Sequence, residues 1–324
     1  MGNQCTAKKK QKKKQFRLDD RLGFNDLNDE DLIQISQLIK KEHLNSQKLK
    51  LGLSINKVGN QGLMSLGEAV GQCIQLKELN LDLAANKYDQ NGVKMFCDHI
   101  SNCRDLTSLT LSFSYCQLQE EDFNYMQQVF SQFEQLTYLS LTFSYSIVKD
   151  GAKHLGQLIS MLSKLESFYF DLRESQLTNQ GLIGLADGII SNHLKLTKIV
   201  LILEYNQISE VSAVRLSQAI SMCQNLIELT LFLKANRVGM NGAQQLGIGI
   251  GQCPNLKRFN LELMYNHFGE EGFILLAKGI SRSKSLIQFS LDNSIVLQVT
   301  LDKFRMISKK IQKLVTYKVN YRRY

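Results

Sequence analysis

The stretch Leu76-Lys77-Glu78-Leu79-Asn80-Leu81-Asp82-Leu83-Ala84-Ala85-Asn86-Lys87-Tyr88 decides how this chain folds. Leu79, Leu81 and Leu83 alternate with polar residues, so they share one face of an extended strand. The same frame returns at Leu106 to Leu118, Leu136 to Val148, Leu165 to Leu177, Leu196 to Ile208, Leu226 to Val238 and Leu256 to Phe268. The second apolar residue of each copy falls at Leu49, Leu79, Leu109, Leu139, Phe168, Ile199, Leu229, Phe259 and Phe289, in steps of 30, 30, 30, 29, 31, 30, 30 and 30. A period held this tightly is the signature of a solenoid. The short step has a visible origin. Val148 reaches Gly151 in three residues, where Val58 to Gly62 and Val238 to Gly242 take four, and the long step follows an extra residue near Asn192 and His193.

Each unit continues from its strand into a helix. The second unit carries Phe96 and Ile100 at helical spacing after Gly92, and equivalents recur from Leu66 and Val70 through Leu276 and Ile280. One unit cannot bury its apolar face alone, but stacked neighbours can. Strands stack about 4.8 Å apart, whereas a helix with its side chains needs about 10 Å. The helix side is therefore longer, and the array is expected to curve into a horseshoe with parallel strands on the concave face. Asn56, Asn86, Asn206, Asn236 and Asn266 occupy the point where the strand turns away, where an amide can satisfy backbone groups that the turn leaves unpaired. Cys116, Ser146 and Ser175 replace it in the other copies.

This frame resembles the leucine-rich repeat family in its long, ribonuclease-inhibitor-like subtype, over residues 48–300. The family frame is L-x-x-L-x-L-x-x-N. Here an extra x-L pair precedes the Asn, so the strand is expected to be longer or bulged. The 30-residue variant, poor in proline and rich in Lys, Asn and Gln, looks like arrays common in ciliate proteins, some fused to kinases. No kinase motif accompanies it. The resemblance implies an α/β solenoid that binds a protein on its concave face. The expected order is a tail (1–17), a cap helix (18–47), the repeats (48–300), and a closing helix and strand (301–324). Phe304, Ile307 and Ile311 form the inward stripe of that last helix, and its lysines with Arg322 and Arg323 are read as a solvated face.

Charge is unevenly spread. The total is +9, residues 1–17 carry +7 and residues 303–324 carry +8, which leaves −6 for residues 18–302. A basic pI thus describes the ends and not the strand face. Of seven cysteines, Cys73, Cys103, Cys223 and Cys253 share one position of the repeat. Neighbours there lie about a helix diameter apart, beyond the roughly 7 Å that a disulfide spans. They read as small buried apolar residues. No signal peptide and no apolar run of membrane-spanning length is recognisable, so the expected location is intracellular, on the cytoplasmic side, with reduced thiols.

The N-terminus reads Met1-Gly2-Asn3-Gln4-Cys5-Thr6. Gly2 followed by Thr6 fits the N-myristoylation pattern, and Cys5 is placed for palmitoylation. Lys8, Lys9, Lys10, Lys12, Lys13 and Lys14 follow at once. One acyl chain anchors only marginally, and stable attachment takes a second signal. Six lysines near an anionic leaflet, at about 1 kcal/mol each, supply one. The expectation is a peripheral membrane protein. A solvated disordered tail, or a nuclear or nucleic-acid-binding tract, stands as the alternative, although Phe16 is the tail's only aromatic residue where such binders interleave several.

Outward strand residues form columns. One runs Asp82, Ser112, Thr142, Asp171, Ile202, Phe232, Glu262, Asp292, and the next runs Asn80, Thr110, Ser140, Tyr169, Val200, Thr230, Asn260, Ser290. Tyr169, Val200, Ile202 and Phe232 are expected to form an exposed apolar centre, a candidate partner site. Tyr115, Tyr145, Tyr205 and Tyr265 form a third column beside the Asn position, either as partner contacts or as residues packed over the turn. Asp82, Asp171, Glu204, Glu262 and Asp292 make the face acidic, suited to a basic partner.

Catalytic chemistry is not legible. The histidines at 43, 99, 154, 193 and 267 have no metal-ligand spacing, and Gly247, Gly249 and Gly251 sit in a helix slot, where they read as close packing and not a phosphate cradle. No cofactor, metal or small-molecule substrate is expected. The reading is a non-enzymatic, membrane-held scaffold. The alternatives are a small-GTPase regulator, from a fold-level similarity to the GTPase-activating protein of Ran, and a nucleic-acid-associated protein using its basic ends.

Overall fold

In the computed structural model each copy of the frame becomes one strand and one helix. Residues 22–292 are described, together with positions 302, 303, 306, 307, 311, 314 and 316–320. The strands are β1 (Lys48–Gly52), β2 (Glu78–Asp82), β3 (Ser108–Ser112), β4 (Tyr138–Thr142), β5 (Ser167–Asp171), β6 (Lys198–Ile202), β7 (Glu228–Phe232), β8 (Arg258–Glu262), β9 (Gln288–Asp292) and β10 (Thr316–Asn320). They form one parallel sheet in chain order. The helices are α1 (Asp29–Glu42), α2 (Asn60–Gly71), α3 (Gln90–Ile100), α4 (Glu120–Phe130), α5 (Ala152–Met161), α6 (Asn179–Ser191), α7 (Glu210–Met222), α8 (Gly239–Gln252) and α9 (Gly269–Ile280). Each packs on the next.

The marker residues pair in register from Leu49–Leu79 to Phe259–Phe289, including Leu139–Phe168 and Phe168–Ile199 across the irregular steps. The missing residue is absorbed in a single 3-10 turn at Lys149–Gly151, ahead of α5. The extra residue is absorbed after α6. There Asn192 is buried and its Nδ2 donates to the carbonyls of Ile159 (3.0 Å) and Leu162 (3.2 Å), in the slot that Cys103, Cys223 and Cys253 occupy elsewhere.

The extra x-L pair lengthens the strand. The parallel ladder continues past each five-residue core, with Leu53 N–H donating to Asp82 O (2.7 Å) and Ile55 N–H to Ala84 O (2.9 Å). The pattern repeats at Leu83 and Ala85, and at Leu203 and Tyr205. It ends on a left-handed residue in the copies of β1 to β8: Ile55, Ala85, Tyr115, Tyr145, Glu174, Tyr205, Ala235 and Tyr265 have φ between 47° and 60°. A side chain in that region costs about 1 kcal/mol or more, and from Ile55 to Ala235 a ladder bond to the amide holds it there.

The asparagine that follows satisfies the turn. Asn206 Oδ1 accepts from the amides of Ser175 (3.1 Å) and Leu177 (2.9 Å), and its Nδ2 faces the carbonyls of Leu172, Leu203 and Glu204 at 2.8–3.1 Å. Asn56, Asn86, Asn236 and Asn266 repeat the arrangement. Amides of this kind join neighbouring repeats, because each bridges the turn of its own strand to the turn before it.

The ladder also extends backwards. Leu22 N–H donates to Gly52 O (2.8 Å) and Phe24 N–H to Ser54 O (3.1 Å), Phe24 is left-handed (φ 60°), and the amides of Asn25 and Leu27 donate to Asn56 Oδ1. Residues 22–27 thus have the geometry of the second half of a repeat, and α1 follows as its helix. A capping box between Asn28 and Asp31 opens α1.

Strand side chains from Leu49 to Leu291 and the inward helix residues form one continuous apolar core. Each fully buried Leu or Phe contributes about 1.5–3 kcal/mol. Glycine sets the closest helix approaches. A methyl group at Gly188 would land on the Gly156 carbonyl, and one at Gly279 on the Gly247 backbone. At the far end β10 pairs parallel to β9. Residues 302, 303, 306 and 307 are helical, Ile311 is buried, and Ile307 packs against the core. Phe304 and the basic positions Lys309, Lys310, Lys313, Arg322 and Arg323 lie outside the described residues.

Candidate functional site: the concave strand face

The two expected outward columns stand in register across β2 to β9. Tyr169, Val200 and Thr230 are successive partners, as are Asp171, Ile202, Phe232 and Glu262. Tyr169, Val200 and Phe232 are half-buried and open to the strand face. Ile202 is not exposed as expected: only 4% of it is accessible. It lies between Asp171 and Phe232 at strand spacing, where concave curvature draws neighbouring side chains together. Ile202 is therefore floor and not contact surface.

The longer strand adds a further outward column, of which the sequence reading used only Glu204. It runs Ser54, Ala84, Ser114, Ser144, Arg173, Glu204, Lys234 and Met264. The signal was present in the extra x-L pair, which adds one outward position to every strand. Arg173 lies over two carboxylates. Its Nη2 is 3.9 Å from Asp171 Oδ2, and its Nε is 2.7 Å from Glu204 Oε2 with the N–H directed off that line, so the contact is coulombic and not a hydrogen bond. Burial opposes the charge on Arg173, but Asp171 and Glu204 hold its pKa above the usual guanidinium value. Asp82 and Asp171 also serve the backbone, accepting from the amides of Ala84 (3.2 Å) and Arg173 (3.1 Å). Burial, and then the charges of Glu204 and Asp292, push the Glu262 carboxyl above its usual range, with Lys234 opposing.

The tyrosine column forms a rim and not a packed cover. Tyr115, Tyr145, Tyr205 and Tyr265 are 41–58% exposed. Tyr115 and Tyr145 stack with ring centroids 4.4 Å apart and planes 10° apart. The Glu174 charge, and then a hydrogen bond with Tyr115, raise the Tyr145 pKa. Lys234 Nζ lies 5.2 Å over the Tyr205 ring. Glu174 and Ala235 interrupt the column, so the structure brings together Tyr115 with Tyr145 but leaves Tyr205 and Tyr265 two strands apart. At the strand starts, Glu228, Thr230, Arg258, Asn260 and Gln288 line a shallow cleft of about 150 Å³. There Glu228 pairs with Lys198 (3.2 Å) and Arg258.

The repeated cysteines are free thiols inside the array. Cys103 donates to Val70 O (3.3 Å) and Cys253 to Ile220 O (3.2 Å), each reaching back one repeat. Burial pushes the thiols of Cys103, Cys223 and Cys253 up to about 12. Among the described residues, no group of three His, Cys, Asp or Glu could hold a metal ion, and no helix is long and apolar enough to cross a membrane. Gly2, Cys5 and the lysines from Lys8 to Lys14 lie outside the described residues.

Strands in parallel register on one side, helices on the other and an asparagine at five of the turns define a leucine-rich-repeat-type solenoid. No protein-family model and no curated protein matches the chain. Among solved structures, it is similar to the "Crystal structure of TLR13-ssRNA13 complex" at 14% identity and a TM-score of 0.32, over 84% of this chain and 46% of that one. The match spans about half the length of that chain.

Proposed function

We propose that this chain is a non-catalytic scaffold that holds a protein partner on its concave strand face. The observation that carries the reading is the open tyrosine rim, Tyr115, Tyr145, Tyr205 and Tyr265, standing beside the half-buried Tyr169, Val200 and Phe232. Aromatic side chains with few rotatable bonds are favoured interface anchors, and here they flank fixed charges at Arg173, Glu204 and Lys234. The acidic balance of the face suits a basic partner segment.

The N-terminus supplies location in this reading. Gly2 and Cys5 would carry acyl chains and Lys8–Lys14 would meet an anionic leaflet of the cytoplasmic side. Two experiments test the two halves. Affinity capture with the wild type and with Tyr205→Ala/Phe232→Ala should return a partner that the variant loses while its thermal unfolding stays cooperative. A catch unchanged by the variant removes the strand face from the reading. Expression with the native N-terminus should place the wild type on membranes and release Gly2→Ala, and a wild type found only in solution or in the nucleus removes the anchor.

A further inference from the structure

We propose that the basic edge of the array, where α6 to α9 run back into β6 to β9, lies on an anionic membrane surface and so fixes which way the strand face is turned. The proposal adds to the membrane half of the function above a contact made by the folded array. It stands on residues other than those of the N-terminus.

Each repeat has two edges. At one, a helix ends and the next strand begins. At the other, a strand ends on its left-handed residue and the next helix begins. In the second half of the array these edges carry opposite charge. Residues 192–198, 223–228, 253–258 and 281–288 lead into β6, β7, β8 and β9. They hold Lys195, Lys198, Lys257, Arg258, Arg282 and Lys284 against one acid, Glu228. The matching segments before β1 to β5, residues 43–48, 72–78, 101–108, 131–138 and 162–167, hold four cations and four acids. At the opposite edge, residues 205–212, 235–242 and 265–272 hold Glu210, Glu270 and Glu271 against Arg237. Cations in a last helical turn complement the helix dipole. Five of the six cations, however, stand four or more residues past the end of their helix, where that effect has faded. Glu228 takes Lys198 (3.2 Å) and Arg258. Lys195, Lys257, Arg282 and Lys284 are exposed, and no acid among the described residues pairs with them.

Exposed apolar side chains stand among these cations. Leu194 is 58% accessible, Met222 39% and Ile287 37%, each in a different repeat. The four segments contain no Phe, Tyr or Trp. Single-stranded nucleic acids are held by stacking on aromatic residues, and protein interfaces favour aromatics and are poor in lysine. Lysine and arginine beside aliphatic tips suit a bilayer surface instead. There the cations meet lipid phosphates, and the apolar tips enter the boundary between headgroups and acyl chains. With this edge on the membrane, the acidic edge and the rim tyrosines Tyr205 and Tyr265 point away from the lipid. The strand face then stands beside the bilayer, open to a partner.

Vesicle binding by the full, unacylated chain tests this. Each cation near an anionic leaflet is worth about fivefold in affinity. Lys195→Gln/Lys257→Gln/Arg282→Gln/Lys284→Gln should therefore weaken binding to phosphatidylserine vesicles by at least about tenfold. Lys57→Gln/Lys87→Gln/Lys149→Gln/Arg237→Gln removes the same charge from the opposite edge, and it should leave binding within about twofold, because charges beyond a Debye length are screened. The N-terminal lysines are common to all three chains. Both variants should unfold as cooperatively as the wild type. Orientation is read from an environment-sensitive dye on Leu194→Cys and, separately, on Val211→Cys at the opposite edge, both in a Cys5→Ser background. On phosphatidylserine vesicles the dye at position 194 should shift to the blue, and the dye at 211 should not. No binding to these vesicles, or binding with neither dye shifted and the first variant equal to the wild type, would overturn the proposal. The second of those results leaves the N-terminal anchor standing. A first variant that loses binding to an RNA homopolymer and keeps binding to vesicles would also overturn it, in favour of nucleic acid. A shift at 194 in a chain that Gly2→Ala fails to release from cell membranes would support the edge and remove the N-terminal anchor instead.

Discussion

The Tyr88 hydroxyl donates to the Leu83 carbonyl at 2.5 Å, while the Cys116 thiol donates to that same hydroxyl at 3.1 Å. In the asparagine repeats, the carbonyl equivalent to Leu83 O receives the amide of the next repeat, as Leu53 O receives Asn86 Nδ2 (3.0 Å). Cys116 replaces that asparagine after Leu83 and is too short to do the same. Tyr88 is the only tyrosine at its position of the frame, and it stands in the repeat before the cysteine. It supplies the missing donor from the opposite side.

A double-mutant cycle tests this compensation. Tyr88→Phe leaves the Leu83 carbonyl with Asn86 Nδ2 alone (3.0 Å) and should cost about 0.5–1.5 kcal/mol in denaturant unfolding. Cys116→Asn alone should also destabilise, since the new amide meets the tyrosine ring. Combined, the two should recover much of the loss, with a coupling of about 1 kcal/mol or more. Simple additivity would mean that Tyr88 does not stand in for the asparagine.

Asn206, like Asn56, has a full set of turn contacts, bridging Ser175 and Leu177 on one side and three carbonyls on the other. Asn206→Asp keeps the shape but turns a donor into an acceptor facing Leu172, Leu203 and Glu204. The expected cost exceeds about 3 kcal/mol, several times that of an exposed Asn→Asp change such as Asn225→Asp. Equal unfolding midpoints for the two variants would contradict the role assigned to the turn amide.

Much of this was legible because a strand face and a helix face have different periods, and the spacing of Leu79, Leu81 and Leu83 repeats with little drift. The register, the core and the turn asparagines follow from that spacing. Ile202 was misplaced because alternation gives the direction of a side chain and not the crowding that curvature adds. Arg173 and Lys234 were overlooked because their column exists only if the ladder runs past the fifth strand residue. The repeat half at residues 22–27 was hidden by the broken leucine pattern: Asp20 stands where Leu81 would, and only Leu18, Leu22, Asn25 and Leu27 keep the frame. Whether the tyrosines packed over the turn or stood clear depended on a left-handed backbone that no residue type at that position announces.

Glu262 gives a pH prediction. Its folded pKa lies above the unfolded value, because burial and the neighbouring Glu204 and Asp292 disfavour the charge. Such a group binds its proton more tightly in the folded state, so its contribution is fully favourable below the unfolded value of about 4.3 and is lost as pH rises through the folded pKa. Glu262→Gln should therefore unfold at higher denaturant than the wild type at neutral pH. The two should converge as pH falls toward about 4. A variant less stable than the wild type at neutral pH would show that Lys234 outweighs the repulsion.

Gly188 and Gly279 test the helix side. Both face the backbone of the preceding helix so closely that a methyl group must displace it. Alanine normally favours a helix by about 1 kcal/mol over glycine, but at these sites overpacking at about 1–3 kcal/mol should win and destabilise the array. Gly269→Ala separates the effects. It has nothing within 4 Å of the added carbon but has φ of 64°, so any loss there is backbone strain alone. If Gly188→Ala stabilises, the α5–α6 approach is looser than described.

The thiols offer the last test. Cys73, Cys97, Cys103, Cys116, Cys223 and Cys253 are all buried. Burial raises each of them, Cys116 to about 11 and Cys103, Cys223 and Cys253 to about 12. The thiolate is the reactive form, so at neutral pH only about one part in ten thousand or fewer of these groups is competent, and that fraction is also sterically shut. Of seven cysteines, Cys5 alone lies outside the described residues. Titration of the folded Cys5→Ser chain with an aromatic disulfide reagent should therefore give no fast equivalent. The remaining six should react together at the rate of global unfolding, because a solenoid whose repeats share one core exposes its interior cooperatively. Early reaction of Cys73 or Cys253 alone would instead show the array opening from one end, which would identify the less stable terminus.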